Sequence, residues 1–173
     1  MVDEEILKEI NRQKYRDELD KHRNDFEERL LLFLNSVNPN ESFLTPECIN
    51  KFKDLIGIHD VTKYGEDEFE YYRIDHYPVN EKEKKDNDDE LKVAKKHHYK
   101  HNPHHWQHWL DDNGEPTPIP IIYCVEMVVD WDLEEPGKSA YQYYQENKDE
   151  MKIHPISREY IERLLEYTRR DYE

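Results

Sequence analysis

The chain has 173 residues, of which 38% are charged and 35% hydrophobic, and its formal net charge at pH 7 is −16. This length predicts one domain, 1–173, large enough to bury a core, and the aromatic content of 12% argues against disorder. The acidic balance argues against a protein that coats nucleic acid. It is compatible with a small anionic substrate held through a metal ion, because the ion reverses the local field.

Other classes of protein are excluded by what the sequence lacks. Four glycines are too few for a phosphate-binding P-loop or a dinucleotide fingerprint. Cys48 and Cys124 fit no motif spacing, and no apolar run reaches membrane length. We therefore expect a cytoplasmic protein without membrane association, in which both thiols are ordinary core residues.

The first predicted element is a long helix from Asp3 to about Asn35. One apolar stripe recurs along it at spacings of three and four residues, formed by Leu19, His22, Phe26, Leu30 and Phe33. His22 therefore faces inward, where it serves either as a core imidazole or as a ligand.

A second helix is predicted to begin at Thr45 and Pro46, which form a helix cap followed by proline in the first turn. Its apolar stripe ends at His59, so this imidazole also faces inward. Asp60 lies at the edge of the stripe. A buried carboxylate is costly without a partner, so Asp60 requires a cation, a hydrogen-bond donor or the surface.

The sequence pattern in the middle of the chain predicts two further helices, one before and one after a charged segment. Gly65 marks a stop, and Glu66–Tyr77 is predicted to form an aromatic-rich helix. Residues 80–90 are charged with nothing to bury, which favours a solvated loop or a helix entry. Leu91 to about His101 again has a helical pattern.

Asn102–Pro103 interrupts that helix, because the residue before proline avoids the α region. Asn102 is a suitable cap for a new helix continuing to Leu110. His104 and His105 would then open this helix.

The remaining elements are a turn, a proline-rich connector and three helices. Asp112–Gly114 favours the turn, and Ile121 to about Leu133 is the next helix, with Glu126 and Asp130 four residues apart. Ser139 and Gln142 resemble a capping box for a helix through Tyr144, and Ser157 is a candidate cap for the last helix. No strand pattern is long enough, so we predict an all-α fold of about seven helices.

Imidazole and carboxylate groups on separate predicted helices form a candidate metal site. First-row divalent metals take such ligands, and His22, His59, Asp60 and Asp130 would supply two of each. The structural alternative for the two aspartates is a buried hydrogen-bonded pair.

This order of ligands, His, His-Asp, Asp, resembles that of the HD-domain superfamily of metal-dependent phosphohydrolases, which has an all-α fold. The resemblance implies an HD-domain-like bundle and one or two divalent ions per chain (Mn, Fe, Co, Ni, Zn or Mg). It also implies a small anionic phosphate substrate, such as a nucleotide, a phosphate ester or a phosphodiester.

The segment His59-Asp60-Val61-Thr62-Lys63 is similar to the His-Asp-Ile-Gly-Lys motif of the HD-GYP phosphodiesterase branch. The likeness implies that Lys63 faces the substrate phosphate. It further implies that histidines between positions 97 and 106 bind a second metal ion, bridged to the first by Asp60, with His98, His104 and His105 as candidates. The Gly-Tyr-Pro signature itself is absent.

Over most of its length the chain resembles an uncharacterised phage and bacterial domain family. The matching segments are His59–Lys63, Glu68–Tyr72, His97–Trp106 and Glu126–Trp131. That family implies no reaction, and it implies location in the host cytoplasm if the protein is phage-encoded.

If a metal ion is held, it lowers the pKa of a bound water to near neutrality and so supplies the nucleophile. Lys63 would balance charge on the phosphoryl oxygens, while Glu68, Glu126 or a clustered histidine donates a proton to the leaving group. Other histidines (His76, His108, His154) are expected to be structural or at the surface, and the tryptophans (Trp106, Trp109, Trp131) to form core and site wall.

Two other functions agree with the same residues. One is a di-iron HD-type oxygenase. The other is a non-enzymatic phage module that binds a nucleotide or a basic host protein through its acidic surface. The oligomeric state has no signature in the sequence.

Overall fold

The protein is all-α, as predicted. A computed structural model describes residues 3–169, within which the helices are α1 (Glu4–Ser36), α2 (Pro46–Ile58), α3 (Phe69–His76), α4 (Glu81–Asp86), α5 (Asp88–His101), α6 (Ile121–Trp131), α7 (Ala140–Asn147) and α8 (Pro155–Thr168). Two short 3₁₀ turns occupy Val61–Tyr64 and Trp106–Trp109. In this part of the chain the only strand-like pairing is an isolated bridge between Leu110 and Pro116.

The chain forms two compact units. The first unit comprises residues 3–23 and Asp60–Asn102, and the second comprises Asn24–His59 and residues 103–169. The chain passes from one unit to the other within α1, between His59 and Asp60, and between Asn102 and Pro103.

The first unit has a small aromatic core supplied by α1, α3 and α5. The buried side chains are Tyr15, Leu19, Phe69, Tyr72, Leu91 and Ala94. Arg73 is also buried there, and its guanidinium donates hydrogen bonds to Glu70 at 3.0 Å and to both carboxylate oxygens of Glu83 at 3.0 and 3.2 Å. A buried guanidinium needs such partners, because its charge is otherwise costly to desolvate.

The second unit is organised around α6, which packs against α2, α7 and α8. Every residue from Cys124 to Trp131 is buried. A helix that is apolar on all sides lies in the interior, so the two acidic residues of α6, Glu126 and Asp130, are carried into the core with it. The turn before this helix contains Gly114, whose φ of +77° lies in the left-handed region that glycine adopts readily.

Two predicted helix starts are confirmed. The Thr45 hydroxyl accepts a hydrogen bond from the Cys48 backbone N–H at the start of α2, and Pro46 occupies the first turn. Ser139 and Gln142 form the predicted capping box of α7. Side chains of these types satisfy N–H groups that the helix itself leaves without acceptors.

The predicted cap of the last helix is wrong. α8 begins earlier, at Pro155, and His154 accepts the capping hydrogen bond from the Ile156 N–H at 3.3 Å. Ser157 is buried, and its hydroxyl accepts from the Ile119 N–H at 2.8 Å. The serine therefore ties α8 to the connector before α6.

The charged segment 80–90 is helical rather than a loop. Asn80 caps α4 by accepting from the Glu83 N–H at 2.9 Å, and α5 begins at Asp88. The segment is held in place by Glu83, which pairs with buried Arg73. Its neighbour α3 is shorter than predicted and begins at Phe69, after Glu68.

Asn102–Pro103 interrupts α5 as predicted, but no α-helix follows. His104 and His105 lie in a turn, and only the 3₁₀ turn Trp106–Trp109 forms. The Trp109 indole N–H donates to the Pro103 carbonyl at 2.7 Å, which folds the segment back on itself.

Two further findings concern membrane-spanning helices and disulfides. Among residues 3–169 no helix is both long and apolar enough to cross a membrane. Neither cysteine forms a disulfide: Cys124 is buried in the second core, and Cys48 is half-buried beside it.

Candidate metal centre

The second unit gathers four predicted site residues in its interior. His59 follows the last turn of α2, Glu126 and Asp130 lie one turn apart on α6, and His104 lies in the turn after Pro103. All four are buried, and the exposed fraction of His59 is 1%. The Phe26 ring stacks on the His59 ring with centroids 3.7 Å apart, which fixes the plane of the imidazole.

Glu126 contacts both imidazoles of the second unit. Its Oε1 lies 3.0 Å from Nδ1 of His59 and 3.2 Å from Nδ1 of His104. Burial alone would raise the pKa of Glu126, but hydrogen bonds from His104 and His59 outweigh it and hold the pKa below its ordinary value. The carboxylate is therefore ionised and accepts, so both histidines carry a proton on Nδ1.

The opposite nitrogens of these histidines face Asp130. Nε2 of His59 is 3.3 Å from Oδ1 of Asp130, and Nε2 of His104 is 3.9 Å from Oδ2. One ligand atom from each of the three residues lies within 4.8 Å of the others. Since each Nε2 presents a lone pair to an anionic oxygen, the arrangement requires positive charge between them, either a second proton or a metal ion.

The donor set fits a divalent ion. Two ligand atoms about 2.1 Å from an ion, at tetrahedral to octahedral angles, are about 3.0 to 3.4 Å apart. The 3.3 Å separation of His59 Nε2 from Asp130 Oδ1 lies in this range, whereas His104 Nε2, at 3.9 Å from Oδ2, would have to move closer to bind the same ion. A carboxylate on the far nitrogen of a ligating histidine is the usual orienting contact in metal sites. Oε2 of Glu126 is buried without a hydrogen-bond partner among residues 3–169, and it adds a further anionic oxygen.

His105 lies beside this cluster. Its ring packs against the His104 ring with centroids 4.3 Å apart, and it is half-buried. Trp109, near the same turn, packs against Tyr123 of α6. Trp109 and Trp131 both pack in the second core, where Trp131 stacks on Tyr144.

In the first unit, Asp60 is the centre of a second group of predicted residues. It adopts φ +54°, which is uncommon for a residue other than glycine, and only 2% of it is exposed. Lys63 donates to Oδ2 of Asp60 at 2.7 Å, and Nε2 of His22 lies 3.5 Å from the same oxygen. Nε2 of His98 lies 3.3 Å from Oδ1.

Glu68 orients His98 as Glu126 orients the histidines of the second unit. Its two oxygens lie 2.8 Å from Nδ1 of His98 and 2.7 Å from Nδ1 of His97. Burial alone would raise the pKa of Glu68, but the hydrogen bonds from His98 and His97 lower it below its ordinary value. Nδ1 of His98 therefore lies against a carboxylate, and Nε2 on the opposite side of the ring faces Asp60.

Within each unit the predicted residues converge. The first unit brings together His22, Asp60, Lys63, Glu68 and His98, and the second brings together His59, His104, His105, Glu126 and Asp130. His22 is half-buried, with 24% of its side chain exposed. The histidines expected to be structural include His76, which pairs with Glu18 at 2.6 Å, and His154, the cap of α8.

Three participants were not predicted as site residues. His97 shares Glu68 with His98, and Thr62 and Asn102 hydrogen-bond to each other in the same network. His97 was recognisable only as part of a histidine-rich segment. Thr62 and Asn102 are forty positions apart in sequence, and no local pattern connects them.

Comparison with known proteins identifies the family of the chain, but the function of that family is unknown. The family described as "Family of unknown function (DUF5662)" matches residues 11–167. No curated protein and no solved structure matches the chain.

Proposed function

The chain belongs to the DUF5662 family, and on the basis of its buried imidazole and carboxylate groups we propose that it is a metal-dependent phosphohydrolase. The proposed substrate is a nucleotide or a related phosphate ester or phosphodiester. The proposal follows the HD-domain resemblance of the sequence, and the side-chain geometry supplies its physical support.

The observation that carries the proposal is that Nε2 of His59 and Nε2 of His104 both face the buried carboxylate of Asp130. Glu126 holds the proton of both His59 and His104 on Nδ1, so Nε2 of each ring faces a carboxylate. Lone pairs directed at an anion repel it. A divalent cation turns this repulsion into attraction with the ligands already in place.

The first unit offers a second candidate position at Asp60, whose two carboxylate oxygens lie 3.5 Å from Nε2 of His22 and 3.3 Å from Nε2 of His98. Again a buried glutamate, Glu68, leaves a histidine nitrogen facing an aspartate. This repetition supports the expectation of one or two ions per chain. The chemistry of both sets suits Mn, Fe, Co, Ni or Zn better than Mg, because Mg prefers ligands made of oxygen alone.

A bound divalent ion supplies Lewis-acid polarisation of a phosphoryl oxygen and an activated water. The residues of the chain would orient the ligands and balance the charge of the substrate. Glu126 and Glu68 hold imidazoles in one tautomer, and the Lys63 ammonium adds positive charge for an anionic substrate. Both glutamates have lowered pKa values, which makes them poor proton donors. We therefore propose a histidine, such as His105, as the donor to the leaving group.

Turnover of nucleotides and bis-phosphodiesters in the presence of Mn²⁺ or Co²⁺ tests this function. We expect hydrolysis by the parent and none by His59→Ala or Asp130→Ala, with helical content near the parental level. His76→Ala is the matched control, since His76 is exposed and its ion-pair partner is Glu18, whose side chain is 38% exposed. Retained turnover in Asp130→Ala would remove that residue from the site.

The same preparations separate the alternatives. Activity that requires ferrous iron and O₂ would indicate a di-iron oxygenase, because this ligand chemistry also suits iron. Tight binding of metal or nucleotide without turnover would indicate a binding module, for which the net charge of −16 favours a basic protein partner.

A further inference from the structure

A cavity of about 470 Å³ lies in the second unit, between the start of α8 and the proline-rich connector that leads into α6. Its lining is largely apolar and is formed mainly by Pro118, Ile119, Ile121, Ile156 and Tyr160. Protein interiors rarely contain voids larger than a water molecule, whereas pockets for small organic ligands have volumes of about 300 to 1,000 Å³. The cavity therefore has the size of a binding site rather than of a packing defect.

The connector forms one wall of the cavity. The N–H of Ile119 donates a hydrogen bond to the Ser157 hydroxyl of α8 at 2.8 Å, and Ser157 is buried. The flanking residues, Pro118 and Pro120, have no N–H group to donate, and their rings restrict the backbone. We therefore expect this wall to keep its shape with and without a ligand, as preformed ligand sites do.

One side of the cavity is open to solvent. Ile156 lines the cavity although it is 69% exposed, and Glu159, which follows it on α8, is exposed as well. A ligand with an apolar body would remove Ile156 from water, which is favourable in proportion to the apolar area that it covers. The lining thus favours a ligand that is mostly hydrocarbon.

Two charged side chains lie at the rim of the cavity, Arg163 and Glu159. The charge of Arg163 is balanced, because its guanidinium donates to Glu41 at 2.9 Å and lies over the Tyr160 ring, 4.8 Å from the centroid. Within residues 3–169, Glu159 has no ion-pair partner. The rim therefore carries one negative charge that is not neutralised, and this charge complements a cation.

The helix starts at the cavity do not reverse this preference. At the start of α8 the Ile156 N–H is already capped by the His154 side chain at 3.3 Å. The start of α6, at Pro120, has no side-chain cap and would favour an anion. Its partial charge is about half an elementary charge, which is smaller than the full charge of Glu159.

We propose that this cavity binds a small apolar molecule that carries an amine in its cationic form. The hydrocarbon part lies against the isoleucines, and the ammonium group lies beside Glu159. The net charge of −16 supports the same choice, because it attracts cations and repels anions.

The proposed ligand site is separate from the metal centre. Glu126 and Asp130 follow Ile121 on α6, and at about 1.5 Å per residue they lie roughly 7.5 and 13.5 Å further along the helix axis. The amine site therefore does not depend on the proposed function, and its test needs no metal ion.

Methyl spectra of the protein can locate the ligand. We suggest labelling the isoleucine methyl groups with ¹³C and titrating the whole chain with n-octylammonium. The signals of Ile119, Ile121 and Ile156 should shift. Those of Ile6 and Ile58 should not, because these residues are 57% and 58% exposed but lie outside the cavity. They serve as internal controls for non-specific adsorption of the alkyl chain.

The head group of the ligand tests the assignment of a cation. n-Octanol and n-octanoate carry the same chain with a neutral and an anionic head. Since an exposed ion pair changes affinity only about 2- to 5-fold, n-octylammonium should bind more tightly than n-octanol by that factor, and n-octanoate more weakly than n-octanol. n-Hexylammonium, which is two methylene groups shorter, should bind roughly 10- to 15-fold more weakly than n-octylammonium.

Two variants separate the parts of the site. Glu159→Gln should abolish the preference for n-octylammonium over n-octanol, whereas Glu166→Gln, at an exposed glutamate two turns further along α8, should keep it. Ile156→Ala should weaken the binding of all three octyl ligands, and Ile6→Ala should not. Both isoleucines are exposed, so these variants should fold like the parent.

Shifts confined to the isoleucines of the cavity, together with a preference for the cation that is lost in Glu159→Gln, would support the proposal. Equal shifts at Ile6 and Ile58, or no shifts at all, would overturn the cavity as a binding site. n-Octanoate binding as tightly as n-octylammonium, or a preference that survives in Glu159→Gln, would overturn the cationic ligand. Methyl shifts that depend on protein concentration without ligand would assign the cavity to a second copy of the chain and so contradict the proposal.

Discussion

Oε1 of Glu126 lies 3.0 Å from Nδ1 of His59 in the interior of the second unit. The same oxygen accepts from His104 at 3.2 Å, so one carboxylate sets the tautomer of two histidines. Asp130, on the next turn of the same helix, faces the opposite nitrogens. Helix α6 therefore carries both the orienting group and a candidate ligand.

Replacing Glu126 by glutamine should weaken metal binding while keeping side-chain volume. An amide offers N–H donors as well as a carbonyl, so the two imidazoles would no longer both be held with the proton on Nδ1. We expect Mn²⁺ affinity to fall roughly 10- to 100-fold in calorimetric titrations. Glu159→Gln, at an exposed position of α8, is the control. Equal affinity in parent and Glu126→Gln would contradict the orienting role.

Lys63→Met should destabilise the metal-free protein and increase the stabilisation gained from metal. The variant removes a 2.7 Å hydrogen bond to the buried carboxylate of Asp60, which corresponds to roughly 1.5 to 3 kcal/mol in the free energy of unfolding. Because Mn²⁺ would replace the missing positive charge, urea denaturation should show a larger gain on adding Mn²⁺ than in the parent.

The control for this substitution is Lys92→Met, which removes an exposed lysine paired with Asp89 at 2.8 Å. It should leave both the stability and the response to Mn²⁺ near parental values. An identical response to Mn²⁺ in Lys63→Met and the parent would argue that no cation binds at Asp60.

Arg73→Met should strongly destabilise the first unit. Arg73 is almost fully buried, and its loss leaves Glu83, itself largely buried, without its main partner. Breaking a buried ion pair from one side costs about 3 to 5 kcal/mol, measurable by urea denaturation. Arg12→Met, which removes a more exposed arginine from the same Glu70, should cost under about 1 kcal/mol. If Arg73→Met and Arg12→Met lose similar amounts of unfolding free energy, the greater burial of Arg73 is not the cause of its contribution to stability.

The same ion pair predicts a dependence of stability on pH. Burial alone would raise the pKa values of Glu70 and Glu83, but hydrogen bonds from arginine outweigh it and lower both below 4.5. A folded-state pKa below the unfolded one gives stability that is complete above pH 4.5 and lost as pH falls through the folded value. The difference in unfolding free energy between parent and Arg73→Met should therefore shrink on acidification. A constant difference from pH 7 to pH 3 would contradict this.

The sequence was sufficient for the fold class and for much of the site, because the relevant patterns are local. Helix α6 is apolar on all sides, so its two acidic residues were bound to be buried, and their spacing of four placed them on one face. The stripe ending at His59 likewise predicted a buried imidazole.

The structural features that the sequence did not predict depend on contacts between residues that are distant in the chain. The charged segment 80–90 is helical, and its Glu83 forms an ion pair with Arg73. Ser157 does not cap α8, because its hydroxyl instead accepts a hydrogen bond from the Ile119 N–H. His104 and His105 could not be placed correctly, because the Trp109 indole bonds to the Pro103 carbonyl and the helix never forms. Such contacts have no periodic signature.

Metal content is the most direct measurement of the central claim. Protein purified without chelator, and again after incubation with Mn, Fe, Co, Ni or Zn and gel filtration, should be examined by elemental analysis beside Asp130→Ala, His59→Ala and Asp60→Ala. We predict at least one ion per parental chain and a loss of bound metal in each variant, with helical content by circular dichroism unchanged. A parental protein that stays free of metal after every incubation would contradict the metal centre and with it the hydrolase.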